Sequence, residues 1–257
     1  MSIFARLRED ALDTGRAVLD AVYPAHCVCA PDEPLATRPA FGLCDVCVAN
    51  LEPNGGQRCA VCDHPGGRCC APGSDLRMRA PYLYSGPLTD AVHAIKFGGR
   101  DDLARGLGRL LAEHPDIGTL ARECDQCVPV PLSTARARQR GYNQSAILAR
   151  AVARALGMPV RHDLRRTRDT APQHTLDAIQ RGSNVRDAFD VKGPVIGSVL
   201  LIDDVITSGE TVRAAARALL DAGAHRVVAI ALGRTPRAVI SAPAFSRAPR
   251  GFPNAAP

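Results

Sequence analysis

Asp203 and Asp204 stand side by side, and after Val205 and Ile206 come Thr207, Ser208, Gly209, Glu210 and Thr211. Paired carboxylates accept hydrogen bonds from vicinal hydroxyls. Hydroxyl side chains and free backbone N–H groups at a helix start receive a phosphate, and a glycine there lets the backbone come close. The chemistry in this stretch is recognition of a phosphorylated sugar, with phosphate on the loop and sugar hydroxyls on the acids. The flanking elements can hold it. Val199 to Ile202 is apolar and rich in branched residues, the pattern of a strand buried on both faces. The acids fall at its carboxyl end, where an open α/β sheet keeps its ligand crevice. From Thr211 onward Val212, Ala215, Ala216, Leu219 and Leu220 share a helical face, with Gly223 as its cap. A buried strand followed by a Thr/Ser-capped helix is the plainer alternative; two acids and three hydroxyls at this spacing make it the weaker one.

A second chemistry belongs to sulfur. Most of the cysteines lie together, as Cys27-x-Cys29, Cys44-x-x-Cys47, Cys59-x-x-Cys62 and Cys69-Cys70. A C-x-x-C turn points two thiolates at one metal, and two such turns complete a tetrahedral structural zinc site. The stretch is short, rich in Pro and Gly and poor in aliphatics, so metal substitutes for a core it cannot build. Cys44 and Cys47 with Cys59 and Cys62 make the expected site. Cys27, Cys29, Cys69 and Cys70 are either further ligands or buried thiols, because C-x-C is tight for one metal and adjacent cysteines rarely share one. One zinc or two is the expectation. His64 is a spare ligand or an exposed histidine. No acid suggests zinc catalysis, so the role is structural or docking. Cys124 and Cys127 read as buried thiols.

The elements that position these groups follow in order. Residues 1–23 read as an amphipathic helix carrying Phe4, Leu7, Ala11, Val18 and Val22 on one stripe. Residues 24–75 form the cysteine module, 79–234 the main domain, and 235–257, rich in Pro and Ala, a disordered tail. Residues 71–79 read as a linker between them. A short strand at 81–84, a helix from Pro87 to about Phe97, a helix over 101–114 and a strand at 126–130 come next. After them follow a loop over 132–143, a helix over 144–156 capped by Gly157, a basic excursion over 164–185 and a strand over 226–232. Lys96 is one of two lysines among 32 basic residues. It is either a compact charge for phosphate or a cation stabilising its helix C-terminus. Arginines crowd the stretch from Arg136 to Arg186, opposed only by Asp163, Asp169 and Asp177. That stripe suits pyrophosphate, a nucleotide or nucleic acid, or is a solvated face.

The Asp203–Thr211 segment resembles the 5-phosphoribosyl-1-pyrophosphate (PRPP) motif of type I phosphoribosyltransferases. The ordered set is narrower: a cysteine-rich module, Ile95-Lys96-Phe97-Gly98, Val128-Pro-Val-Pro131, Arg140-Gly-Tyr-Asn143-Gln144, Arg166-x-Arg168-x-Thr170-x-x-Gln173, Arg181-x-x-Asn184-Val185, then the PRPP motif. This is similar to the ComF family. The resemblance implies an α/β fold with a mostly parallel, type I phosphoribosyltransferase-like sheet flanked by helices, and a small N-terminal zinc-ribbon module. It implies PRPP contacts at Asp203, Asp204, Thr207, Ser208, Gly209, Glu210 and Thr211, with Asp203 and Asp204 as the residues serving catalysis. It implies Lys96, Ser133 and Arg140 on the pyrophosphate side, Arg166, Arg168, Gln173 and Arg181 at the mouth, and Mg²⁺ accompanying PRPP. Cys27-x-Cys29 and Cys69-Cys70 depart from the C-x-x-C usual there.

Composition bounds the rest. A 46 % hydrophobic chain with net charge +6 builds an ordinary core. No apolar run reaches membrane length. Glu9, Asp10, Asp13 and Asp20 leave no signal-peptide core in Met1–Tyr23. The expectation is a cytoplasmic protein without membrane insertion. Three functions remain open: phosphoribosyl transfer to an unidentified acceptor, single-stranded-DNA handling in DNA uptake, and PRPP sensing without turnover.

Overall fold

The computed structural model describes residues 26–34, 41–64, 70, 74–167 and 188–236. The helix expected at 1–23, Cys69, Arg168, Gln173 and Arg181 lie outside them, as does the tail beyond residue 236. In chain order the elements are β1 (His26–Cys27), β2 (Ala30–Pro34), α1 (Asp45–Ala49), β3 (Leu76–Arg79), β4 (Tyr82–Leu83), α2 (Gly86–Phe97), α3 (Asp101–Glu113) and α4 (Pro115–Ala121). There follow β5 (Gln126–Pro129), α5 (Thr134–Arg140), α6 (Gln144–Leu156), β6 (Leu164–Arg166), β7 (Phe189–Val191), β8 (Ser198–Ile206), α7 (Glu210–Asp221) and β9 (Arg226–Arg234).

The central sheet has the order β3-β9-β8-β5, with β4 also on β9. All of its pairings are parallel. β8 lies inside it, which is why its apolar run has no polar alternation. Strand periodicity divides the core in two. Leu200 and Ile202 of β8 and Val228, Ile230 and Leu232 of β9 face one core, which α2, α3, α4 and α6 cover. Val199, Leu201, Val227, Ala229 and Ala231 face the other, covered by α7 and the antiparallel β6–β7 pair. β8 continues past the apolar run because Val205 and Ile206 still pair with Gly233 and Arg234. The acids therefore sit within the last turn of pairing, on fixed backbone.

Four features differ from the sequence expectation. The stretch read as a linker contains β3, whose Met78 is buried in the second core together with Ala80 just after it. The segment 132–143 is not a plain loop: it holds α5, because the Ser133 hydroxyl accepts the Arg136 N–H at 3.4 Å and Gly141, at φ 74°, closes the turn. α4 was not anticipated, although Pro115 marks its first turn. Finally, the described part of the cysteine module is not set apart from the main domain but shares its core. Cys27, Leu43, Cys47 and Leu51 are buried together with Leu88, Ile95, Leu103 and Leu107. Gly106 of α3 is what allows this approach, since a Cβ there would overlap the Phe41 carbonyl.

Candidate functional site

The two acids of β8 are not equivalent. Asp204 is 7 % exposed. Its Oδ1 accepts the Val205 N–H at 2.7 Å; its Oδ2 accepts Lys96 Nζ at 2.9 Å and Gln144 Nε2 at 3.0 Å. Asp203 is half-buried. Its Oδ1 accepts the Asp204 N–H at 2.9 Å and Ser145 Oγ at 3.1 Å, while its Oδ2 has no partner among the described residues. Burial, and then the adjacent Asp204 charge, push the Asp203 carboxyl up to about 7, against the pull of its hydrogen bonds and Lys96.

The motif Arg140-Gly-Tyr-Asn-Gln144 works as a clasp. Asn143 caps α6, its Oδ1 accepting the Ser145 N–H at 3.0 Å, and its Nδ2 donates to the Val130 carbonyl beyond β5 at 3.0 Å. Tyr142 donates to the Ile95 carbonyl, next to Lys96. The clasp thus fixes α6 against both α2 and the end of β5, and brings Lys96, Gln144 and Ser145 to the acids. Gln144 and Ser145 had no assigned role in the sequence; the only signal was their place in the first turn of a helix after a capping Asn. Arg140 lies over the Phe97 ring, 5.2 Å from its centroid, with Nε buried and without a partner among the described residues. Its pKa is lowered, first by burial, while the Asp204 charge acts in the opposite direction. Ser133 caps α5 and is buried. Arg166 lies over the Phe189 ring, 5.5 Å from its centroid, on the β6–β7 pair.

After β8 the chain turns through Thr207 and Ser208, both exposed, and Gly209 at φ 78°. The turn opens α7, whose first N–H, that of Glu210, donates to Ser208 Oγ at 3.4 Å. Arg213 donates to the Ser208 carbonyl through Nη1 at 3.0 Å and Nη2 at 2.9 Å. A Cβ on Gly209 would meet Arg213 Nη1 at 2.8 Å, so the left-handed, close-packed position requires glycine. The loop borders a cleft of about 890 Å³ whose other wall includes Cys62, His64, Cys70 and Met78.

The thiols pair differently from the sequence expectation. Cys27, Cys29, Cys44 and Cys47 form one cluster, and Cys59, Cys62 and Cys70 another; within each, the sulfurs lie within 4.8 Å of one another. Cys44 and Cys47 therefore do not share a site with Cys59 and Cys62. The reason is β1 and β2, whose turn folds Cys27 and Cys29 onto the start of α1. Burial alone would raise the Cys27 thiol, but the Cys44 N–H at 3.3 Å and neighbouring groups hold it at about 7. Four sulfurs at this spacing fit a tetrahedral metal ion. The Cys59–Cys62 turn is docked on the sheet by its backbone: Val61 O accepts the Met78 N–H at 2.6 Å and Cys62 O accepts Arg234 Nη1 at 2.7 Å. Asp63, unnoticed in the sequence, is fully buried beside it. It accepts from Asn54 (3.0 Å), Arg79 (2.9 Å) and the Ala80 N–H (2.9 Å), and pairs with Arg58 at 3.2 Å. Burial pushes Cys124 and Cys127 up to about 12, so they remain protonated thiols. No helix among the described residues is long and apolar enough to cross a membrane.

A parallel sheet with an acid pair and a glycine turn at one strand end, joined to a cysteine module, defines a phosphoribosyltransferase-like protein. The phosphoribosyl transferase domain family model matches residues 143–242. The chain is 36 % identical over 207 residues to the DNA utilization protein YhgH of Salmonella typhimurium LT2, covering 76 % of this chain and 91 % of that one. It is 29 % identical over 159 residues to competence protein F of Haemophilus influenzae, covering 59 % and 69 %. Among solved structures it is similar to a glutamine PRPP amidotransferase from B. subtilis, at 26 % identity and a TM-score of 0.34 over 49 % of this chain and 25 % of that one. The chain belongs to the ComF family of phosphoribosyltransferase-like proteins.

Proposed function

We propose that the chain binds PRPP with Mg²⁺ at the carboxyl end of β8 and transfers the phosphoribosyl group to an acceptor, in the setting of DNA uptake or use. The observation that carries this is the single continuous site from Asp203 to the start of α7, with the cations Lys96 and Arg140 gathered beside it. The Thr207–Thr211 turn would receive the 5-phosphate. Transfer breaks the bond from C1 of the ribose to the pyrophosphate oxygen and forms one from C1 to the acceptor, which gives up a proton. Pyrophosphate leaves carrying the bond electrons, so the residues must neutralise its charge while the sugar ring becomes positive. Lys96 and Arg140 serve the first need and the acids the second. Oxygen ligands for a hard cation are present in Asp203 and Asp204, and bound Mg²⁺ would share in neutralising pyrophosphate. The cysteine clusters would hold structural zinc.

A second reading, a PRPP sensor or single-stranded-DNA handling protein without turnover, draws on the relatives' names and on α5, which exposes Arg136 and Arg138 beside the site. Pyrophosphate release from PRPP in the presence of candidate bases separates the two. Release supports transfer; PRPP binding without release, joined to salt-dependent binding of single-stranded DNA, favours the second reading.

A further inference from the structure

We propose that the second thiol cluster does more than brace its module: once Cys59, Cys62 and Cys70 share a metal ion, Met78 and Arg234 hold the Thr207–Thr211 turn in place, so that metal binding and phosphate binding strengthen one another. The inference rests on reading that turn as the 5-phosphate site and adds its regulation.

The sulfurs of Cys59, Cys62 and Cys70 lie within 4.8 Å of one another, a spacing that suits thiolates on one zinc ion. Cys59 and Cys62 belong to a tight knuckle. In it the Cys59 carbonyl accepts the Asp63 N–H at 2.9 Å, and the Cys59 N–H donates to the His64 carbonyl at 2.8 Å. Asp63, left-handed at φ 58°, ties the knuckle to Arg79 and to the Ala80 N–H just past β3. Cys70 comes from a later point in the chain and is exposed on the wall of the cleft. A shared metal ion would join that wall to the knuckle.

Two links carry this junction to the turn. The first starts at Val61, between the knuckle cysteines, whose carbonyl accepts the Met78 N–H at 2.6 Å. The Met78 sulfur lies 3.4 Å from the point where a Cβ on Gly209 would stand. The left-handed residue of the turn thus rests on a side chain whose backbone the knuckle holds. Met78 is 2 % exposed, and close packing leaves it little room to move aside. The second link is Arg234. Its guanidinium donates to the Cys62 carbonyl at 2.7 Å, while its backbone pairs with Ile206, the residue before Thr207. The knuckle therefore bears on the turn at its entry and again at Gly209. The first cluster packs on the opposite core, where Cys27 and Cys47 lie among residues of α2 and α3.

Coupling between two binding sites is reciprocal, and this supplies the test. Ribose 5-phosphate is titrated calorimetrically into the full chain, and zinc affinity is measured by chelator competition with and without saturating ribose 5-phosphate. Cys70→Ser should lose one zinc equivalent and bind ribose 5-phosphate about tenfold more weakly. In wild type, saturating ribose 5-phosphate should tighten the zinc that Cys70→Ser lacks by the same factor, about tenfold. Met78→Ala should keep its zinc yet show coupling of about twofold or less, and Met78→Leu, which keeps the bulk beneath Gly209, should restore it. Ribose 5-phosphate affinity unchanged in Cys70→Ser, or zinc affinity unmoved by ribose 5-phosphate, overturns the coupling. Should Cys70→Ser fail to fold, the chelator competition on wild type decides alone. A wild-type chain that binds no ribose 5-phosphate overturns the PRPP reading and the coupling together, an outcome distinct from binding that ignores zinc.

Discussion

Cys27 and Cys47 are buried among leucines of α3 and its neighbours, on the helix-rich face of the sheet, whereas Cys62 and Cys70 line an open cleft and Cys62 packs toward the opposite face. Similar chemistry serves two purposes. The first cluster is part of the main core, so a metal there stabilises the whole domain. The second is tied to the sheet by hydrogen bonds from the Met78 N–H and the Arg234 guanidinium to its backbone carbonyls, close to Gly209 and the end of β8, so its consequence is local and falls on the Thr207–Thr211 turn. A cysteine module that looks like an appendage in the sequence is in fact two fasteners, one on each side of the sheet edge.

The sharpest way to break this contrast is Cys47→Ser. Loss of a ligand from a four-thiolate site should remove several kcal/mol (on the order of the stability of a whole domain), and thermal unfolding should remain a single transition at much lower temperature. A separate early melt of the module, with the main transition unmoved, would show that the cores are independent after all. Leu43→Ala tests the same joint without touching a ligand. Truncating this buried side chain should cost about 2–4 kcal/mol and lower Tm by roughly 5–15 °C, with metal content unchanged.

Between the two faces lies β8, whose end carries an acid pair held against its own burial. Asp203 titrates near 7 in the fold against about 3.9 in an unfolded chain. The folded state therefore binds more protons between those values, and stability falls as pH rises from about 4 to about 7. Asp203→Asn escapes that loss. It should melt higher than wild type at pH 8, by about 1–3 kcal/mol after allowing for partial solvent screening, and equal to it at pH 4. Equal melting at both pH values would mean the carboxyl is not strained. The smallest effect is expected of Cys70→Ser: metal content falls by one equivalent while Tm moves by no more than about 2 °C. A large drop would place the second cluster in the fold's foundation alongside the first.

Much of this was legible in residue pattern, and the failures share a cause. β8, α6 and α7 were readable because each couples a clear apolar period to a cap or turn signal, as with Asn143 and Gly157 around α6. The acid pair at a strand end and the glycine turn into a helix after it were readable because they are contiguous. What the sequence could not convey is contact between distant segments. Nothing local tells Cys27 to meet Cys47 rather than leave it to Cys62, since the choice is made by the β1–β2 turn. Nothing local marks Asp63 as buried, since its burial depends on Arg79 and the Ala80 N–H, at the end of β3, closing over it together with the nearby Asn54 and Arg58. The asymmetry of Asp203 and Asp204 is of the same kind: it comes from Lys96, Gln144 and Ser145, which two other helices deliver.

The most direct test of the whole account is calorimetric titration of PRPP with Mg²⁺ into wild type, Thr207→Val and Asp203→Asn. Saturable one-to-one binding is expected in wild type, weakened about tenfold or more in each variant, by loss of a phosphate contact in one and of a sugar contact in the other. Absence of binding to wild type at millimolar PRPP, or undiminished binding in both variants, would contradict the assignment of this strand end as the PRPP site.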